Sequence, residues 1–391
     1  MPDDPGPIVK KKFLLIFGTR PETIKMAPVI RALKRDPRAE CIVCVTGQHA
    51  ELMESALASF GIQPHHRLRV MSPGQSLSQL TSRLLVELEW VIAAEDPDWV
   101  VVQGDTTSAL AGALAAFYLQ VPVAHVEAGL RSHTKHEPFP EEVDRRIIDL
   151  LAELHFVPTR LDQQQLIREG CKPATIHVTG NTGIDSLHAV SSAPIPIDAL
   201  RGHRASSERV ILVTSHRREN HGEPLARICR AIRILAARYR STVRFIFPVH
   251  PSPNVSAVAR DLLTGTDNVT LTPPLSYEEL IEAASACYLV LTDSGGLQEE
   301  LPSLGKPVLV LRDTTERGAA VAAGAARLIG TQVEAIVAAV TELMEDPRTY
   351  GQMAKRRDLF GDGKAGPRIA KILIKAEAGA KTYPQRAHEA A

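Results

Sequence analysis

Short β-branched runs alternate with longer amphipathic ones along nearly the whole chain, and this rhythm restricts the fold more than any other feature. Phe13 to Phe17, Cys41 to Thr46, Trp99 to Gln103, Val123 to Glu127 and Leu154 to Val157 read as strands, with helical patterns over Glu22 to Lys34, Ser76 to Ala94 and Thr107 to Leu119. Continuous apolar strands separated by helices predict a parallel sheet covered on both faces. The pattern weakens through Ser191-Ser192-Ala193-Pro194-Ile195-Pro196, read as part of a linker, and then a second series begins. Its strands are Val210 to Thr214, Val243 to Val249, Val269 to Leu271, Tyr288 to Thr292, Val308 to Leu311 and Arg327 to Ile329. A chain of 391 residues is too long for one ordinary core and fits two domains. The expectation is therefore α/β, two Rossmann-like doubly wound parallel-sheet domains over residues 1–182 and 183–365 facing a central cleft, because such sheets bind ligands at the carboxyl ends of their strands. Residues 366–391 are expected to form a helix and tail packing back on the first domain, with Thr382 to Ala391 frayed.

The segment from Leu291 to Val308 contains Asp293-Ser294-Gly295-Gly296 between an apolar run and a helical pattern, so the glycines fall where a strand hands over to a helix. Glycine admits a ligand to the backbone, and the free N–H groups and dipole of the helix start favour an anion. The same glycines also suit a tight turn without ligand. Glu299 and Glu300, one turn further on, favour the phosphate reading, since a carboxylate there suits a ribose diol.

Further polar groups follow strands directly. Arg20 and Lys25 stand at a helix start after Gly18, where two cations oppose the dipole; an anion between them or a solvated helix end accounts for that. Asp105 follows Gln103-Gly104 and is either a helix cap or a catalytic acid. Glu127 ends an apolar strand, an expensive place for a carboxylate unless it is paired or used, and Arg131 is its candidate partner. Glu141, after Pro138-Phe139-Pro140, has ordinary capping chemistry. His216 and His250, each after a strand of the second half, suit phosphate contact, acid work or a structural role.

Lys plus Arg and Asp plus Glu both number 45, so no net field draws nucleic acid or an anionic membrane, and a small molecule is the expected partner. No apolar run has the length of a membrane span, and Met1-Pro2-Asp3-Asp4-Pro5 lacks the order of a signal peptide, so a cytoplasmic location is expected. Five scattered cysteines argue against a disulfide framework, and Cys41-Ile42-Val43-Cys44 lies in an apolar strand and reads as core. No cluster has metal-ligand spacing and the Gly-x-x-x-x-Gly-Lys-Ser/Thr pattern is absent, which lowers metal chemistry and ATP hydrolysis in rank.

The strings FGTRPETIKMAP, TGQH, QGDTTSAL, HVEAGLRS, PFPEE, TGNTGID, SHRREN, PVHPSPN, TDSGGLQEELPSLGKPVLVLRDTTER and FGDGKA together resemble the non-hydrolysing UDP-N-acetylglucosamine 2-epimerases, from about Lys12 to about Lys375. The resemblance implies a two-domain fold like that of GT-B glycosyltransferases, a UDP-sugar substrate, no added cofactor, no metal, a homodimer and work in cell-surface polysaccharide synthesis. It implies that Arg20, Ser294, Gly295 and Gly296 hold the diphosphate, Glu300 the ribose, and that Tyr277 lies near the uracil. It matches Asp105, Glu127, Glu141 and His216 to catalytic positions, and Lys25, Arg131 and Arg317 to cationic ones. Gln48, His49 and His250 match a site where family members bind a second UDP-sugar as activator, with Ala50 and Gly74 altering its polar contacts. Two departures stand out: Gly318-Ala319-Ala320 where Pro-Glu-Ala is usual, and Asp144 where Asn is usual. A hydrolysing epimerase, a GT-B glycosyltransferase and a nucleotide-sugar sensor are the alternative readings.

Overall fold

The computed structural model describes residues 10–48, 50–72, 74–190, 208–250 and 252–377. The linker segment Ser191 to Pro196, His49 and the tail from Thr382 lie outside them. The chain divides into two compact units, one of Met1–Ser186 with Gly361–Ala391 and the other of Leu187–Phe360. Among the described residues no helix is long and apolar enough to cross a membrane.

The first unit is a seven-stranded parallel sheet built from β1 (Lys11–Phe17), β2 (Ala39–Val45), β3 (His66–Arg67), β4 (Trp99–Gln103), β5 (Val123–Val126), β6 (Leu154–Val157) and β7 (Ile176–Val178). Its order is β3-β2-β1-β4-β5-β6-β7, so the winding reverses between β1 and β4. The pleat of β1 explains why its apolar run is unbroken. Phe13, Leu15 and Phe17 point to one face, against Met26 and Leu33 of the helix Arg20–Arg35 and Ile369 and Leu373 of the helix Ala365–Lys375. Leu14 and Ile16 point to the other, against Leu84 and Leu88 of the helix Leu77–Glu95 and Ala109 of the helix Thr107–Tyr118. With both faces covered, each of these side chains contributes roughly 1.5–3 kcal/mol of burial. The helix Ala365–Lys375 is tied in by Asp185, whose carboxylate accepts from the N–H groups of Ala365 (3.1 Å) and Gly366 (2.8 Å).

The second unit is a six-stranded parallel sheet of β8 (Arg209–Thr214), β9 (Val243–Pro248), β10 (Val269–Thr272), β11 (Leu289–Thr292), β12 (Val308–Val310) and β13 (Ala326–Leu328). The order β10-β9-β8-β11-β12-β13 reverses between β8 and β11. Ile211, Val213, Leu289 and Leu291 pack on Ile228, Ile232 and Leu235 of the helix Glu223–Arg238 and on Ile336 and Val340 of the helix Val333–Glu345. Doubly wound sheets open a crevice beyond the carboxyl ends of their strands at such a reversal, which directs attention to the loops after β1, β4, β8 and β11.

Candidate active site

In the first unit the loops after β1 and β4 are joined by one carboxylate. Glu22, in the first turn of the helix Arg20–Arg35, accepts from the Gly18 N–H (3.1 Å) and the Thr19 hydroxyl (2.7 Å) on one oxygen and from the Thr106 hydroxyl (2.7 Å) on the other. Gly18 is required by close approach: a Cβ there would lie 2.1 Å from Thr46 Oγ1 and 2.4 Å from Ser108 Oγ. Burial pushes the Glu22 carboxyl up to about 7 against the pull of its three donors, with repulsion from Asp105 adding to the rise. Burial also lowers the proton affinity of the neighbouring Arg20 guanidinium.

Asp105 follows β4 and is bound by Arg145 through two guanidinium nitrogens, with Nε at 3.1 Å. Arg145 also donates to Glu142 Oε2 at 3.0 Å, and Glu142 accepts from the Ser132 N–H at 2.9 Å. The helix Glu141–Leu151 thus brings its acidic first turn to Asp105. Within that turn Asp144 is pushed up to about 7 by burial and by repulsion from Asp105 and Glu141, which Arg145 only partly offsets.

Glu127 directly follows β5 and is 8% exposed. Its φ of 70° lies in the left-handed region, a strain of about 1–3 kcal/mol that persists only where the surroundings fix it. Lys25 forms an ion pair with Glu127 Oε2, and the Asn181 side-chain amide donates to the same oxygen at 3.1 Å. Arg131, expected as the partner of Glu127, bonds elsewhere: to Asp149 at 2.7 Å and through Nε to Glu169 at 2.9 Å. Asp149 is held down to about 2 despite burial, because His125 and Arg131 both face it. Arg131 is thereby engaged in a buried network, and Lys25 supplies the cation at Glu127. Gln48 accepts from the Ser108 hydroxyl at 2.9 Å, one helix turn from the Asp105 loop.

The second unit repeats the device. Asp293, fully buried after β11, accepts from the Ser215 hydroxyl (2.9 Å), the N–H groups of His216 (3.0 Å) and Arg217 (3.1 Å) and the Asn220 amide (2.9 Å), all on the loop after β8. The His216 ring places Nδ1 3.2 Å from Asp293 Oδ1. Burial alone would raise this carboxyl, yet His216, Asn220 and the backbone donors hold it below the usual carboxylate range. Ser294, Gly295 and Gly296 then open a helix, Gly295–Glu300, that continues as a 3-10 turn over Leu301–Leu304. A Cβ on Gly295 would lie 2.9 Å from Arg317 Cζ, so the missing side chain makes room for that guanidinium. Arg317 donates to Glu299 at 3.0 Å and pairs with Glu316, which Arg312 also binds at 3.0 Å. Tyr277, nearly buried, donates its hydroxyl to Glu300 Oε1 at 3.1 Å, and burial with the Glu300 charge holds its phenol well above the usual range. His250 follows β9 and accepts from the Ser252 N–H through Nδ1 at 3.2 Å.

Sequence reading missed Glu22, Asn181, Arg145 and Asp293 as the residues that organise these loops. For Asp293 a signal existed, since an acid placed between an apolar strand and Ser-Gly-Gly must be satisfied by the neighbouring strand's loop. For Asn181 and Arg145 no local pattern marks a partner so far away in the chain.

The family model described as UDP-N-acetylglucosamine 2-epimerase matches residues 31–374. A UDP-N-acetylglucosamine 2-epimerase of Salmonella typhimurium is 45% identical over 369 residues, covering 93% of this chain and 98% of that protein. A crystal structure of UDP-GlcNAc 2-epimerase from Neisseria meningitidis bound to UDP-GlcNAc superposes with a TM-score of 0.89 at 42% identity, covering 93% of this chain and 100% of the other. The enzyme of Methanocaldococcus jannaschii in complex with UDP-GlcNAc and UDP gives a TM-score of 0.83 at 33% identity, with 93% and 100% covered.

Proposed function

This chain belongs to the UDP-N-acetylglucosamine 2-epimerase family, and from that premise we propose that it interconverts UDP-N-acetylglucosamine and UDP-N-acetylmannosamine reversibly without hydrolysing them. The observation that carries the reading is positional: Arg20, Asp105 and Glu127 follow β1, β4 and β5, while His216, His250, Ser294 and Arg317 follow β8, β9, β11 and β12. The candidate proton carriers thus gather at the strand ends of one sheet, with Arg20 beside them, and most of the groups assigned to phosphate at those of the other.

The C2 proton of the sugar is not acidic, because no adjacent carbonyl can take up the charge. Inversion therefore runs through loss of UDP from C1 as a base removes the C2 proton, giving a 2-acetamidoglucal, and UDP adds back after C2 is protonated from the opposite face. At least two proton carriers are needed, and Asp105, Glu127 and Glu141 are the candidates. Lys25 pairs with Glu127 in its buried position. Developing charge on UDP is met by Arg20, His216, Arg317 and the N–H groups after Ser294, each well-placed donor contributing on the order of 3 kcal/mol. His216 presents its ring in an orientation set by Asp293, and Glu300, set by Tyr277, takes the ribose. The chain works as a homodimer, a reading supported by the exposed apolar side chains Val86, Trp90, Phe117, Tyr118, Ile147 and Leu150 on successive helices of the first unit. A monomer in sedimentation equilibrium would remove that part.

Incubation with UDP-N-acetylglucosamine alone in heavy water, read by proton and phosphorus NMR, tests the reaction. Deuterium at C2 of both sugars with no accumulating UDP is expected. A retained C2 proton would sink the elimination mechanism, and steady release of UDP would assign the hydrolysing reaction instead.

A further inference from the structure

The first turn of the helix Glu141–Leu151 carries more negative charge than its cations offset. Glu141, Glu142 and Asp144 lie in it, and Asp105 reaches it from the loop after β4. The guanidinium of Arg145 is divided between Asp105 and Glu142, and Arg146 bonds Glu142 at 3.0 Å. Asp144 is 6% exposed, and its Oδ2 is buried with no hydrogen-bond partner among the described residues. Glu141 and Asp144, three residues apart, share one helix face. An ionised oxygen left without a donor in such a place is costly, and the helix dipole compensates only a small part of that cost. Like charges gathered in one buried site cannot all stay ionised; Asp105 and Glu142 are bonded to Arg145 and Glu141 is only half-buried, so the buried Asp144 is the one that takes the proton.

We propose that Asp144 is a charge-setting residue for the Asp105–Glu141 pair: a buried neutral acid that, on ionising, turns both neighbours into stronger bases. It acts through them and does not touch the sugar. The groups that face it are Asp105 from the β4 loop and Glu141 and Arg145 from its own helix, and its elevation to about 7 by burial and by the two carboxylates agrees with the geometry. Asp105 in turn faces Glu22, which joins the loop after β1 to the loop of Asp105, so the charge of Asp144 is felt across both loops. The proposal rests on the reading of Asp105 and Glu141 as proton carriers.

Asp144→Asn fixes the neutral form, and Asp144→Glu keeps a titratable group. The kcat of the wild type, followed as C2 deuteration of UDP-N-acetylglucosamine, is expected to rise through an inflection near neutrality as Asp144 ionises and the bases strengthen. D144N should stay on the acid-side plateau, equal to the wild type below the inflection and several-fold slower above it, with KM little changed; D144E should restore the rise. Infrared difference spectra between acid and alkaline buffer, taken without substrate, should show one protonated carboxyl in the wild type that D144N lacks. A D144N profile that superimposes on the wild type, or an infrared difference unaltered by the substitution, overturns the proposal. Absence of C2 exchange at every pH would instead strike the functional reading, while the infrared measurement would still decide the state of Asp144.

Discussion

Replacing Glu22 by Gln offers a test of how the first unit's strand ends are held. The carboxyl of Glu22 is buried, and it rises from its ordinary 4.5 to about 7 because burial outweighs its three donors and Asp105 repels it. Between those two pH values the folded chain keeps a proton that the unfolded chain releases, so the contribution of Glu22 to stability is full below pH 4.5 and is lost as pH rises toward 7. At about 1.4 kcal/mol per pH unit, the displacement amounts to about 3 kcal/mol. Gln mimics the neutral acid. Its carbonyl accepts from Gly18 N–H and the Thr19 hydroxyl, and its amide donates to Thr106, whose hydroxyl turns from donor to acceptor. E22Q should therefore match the wild type near pH 5 and exceed it by up to about 3 kcal/mol near pH 8. Urea unfolding followed by tryptophan fluorescence suits the purpose, since both tryptophans, Trp90 and Trp99, belong to the first unit and report it alone. A difference between the two proteins that does not change with pH, or one that favours the wild type as pH rises, would refute the reasoning.

Other substitutions probe the remaining contacts. Lys25→Met leaves the Glu127 charge buried without its cation, which should cost about 3–5 kcal/mol in thermal or denaturant unfolding and slow C2 deuteration at least about 100-fold. Gly295→Ala drives a methyl into the Arg317 guanidinium, which must shift against its pairs with the buried Glu299 and Glu316, so calorimetry should show about tenfold weaker UDP binding. Gly296→Ala, whose Cβ meets nothing nearer than Ser294 Oγ at 3.9 Å, should show a much smaller loss, and equal losses would count against the Arg317 explanation. Asp293→Asn removes the charge and turns one of the two oxygens that gather Ser215, His216, Arg217 and Asn220 into a donor, and UDP binding should weaken by about 1–3 kcal/mol in the same assay.

The sheet strands were legible wherever burial on both faces forced an unbroken apolar run, as in β1, β4 and β8. β3 and β7 were not, because edge strands of two and three residues with half-exposed side chains write no such run. The helix expected from Ser76 begins one residue later, with Ser76 as its cap: its hydroxyl accepts from the Gln79 N–H. In the site, residue types at strand ends could be read from order alone, while pairing could not. Arg131 stood four residues from Glu127 in sequence and seemed its natural partner, yet Asp149 and Glu169 occupy its guanidinium. Lys25, far away in the chain, reaches Glu127 because only β4 separates β1 from β5 in the sheet, so the helix that follows β1 comes within reach of the end of β5. Such a contact depends on topology, which no local spacing encodes.

Glu22 and Asp293 each bind the loop of the first strand of its sheet to that of the fourth, Glu22 from the helix after the first strand and Asp293 from the end of the fourth, and yet they adopt opposite charge states. Asp293 gathers two backbone N–H groups, a hydroxyl, an amide and a histidine, and these overcome burial and keep it an anion. Glu22 has one backbone N–H and two hydroxyls and faces another acid, so burial wins and it holds its proton near neutrality. The contrast fits the two kinds of chemistry. Under the proposed function, a fixed anion suits the loop assigned to phosphate, because its charge orients His216 and the backbone donors around it. Beside Asp105 a further fixed anion would add to the repulsion already concentrated there, so the first loop is held together by an acid that keeps its proton up to about pH 7. On this view an E22D or E22Q variant alters which carboxylates are charged, whereas a D293N variant alters where the donors point.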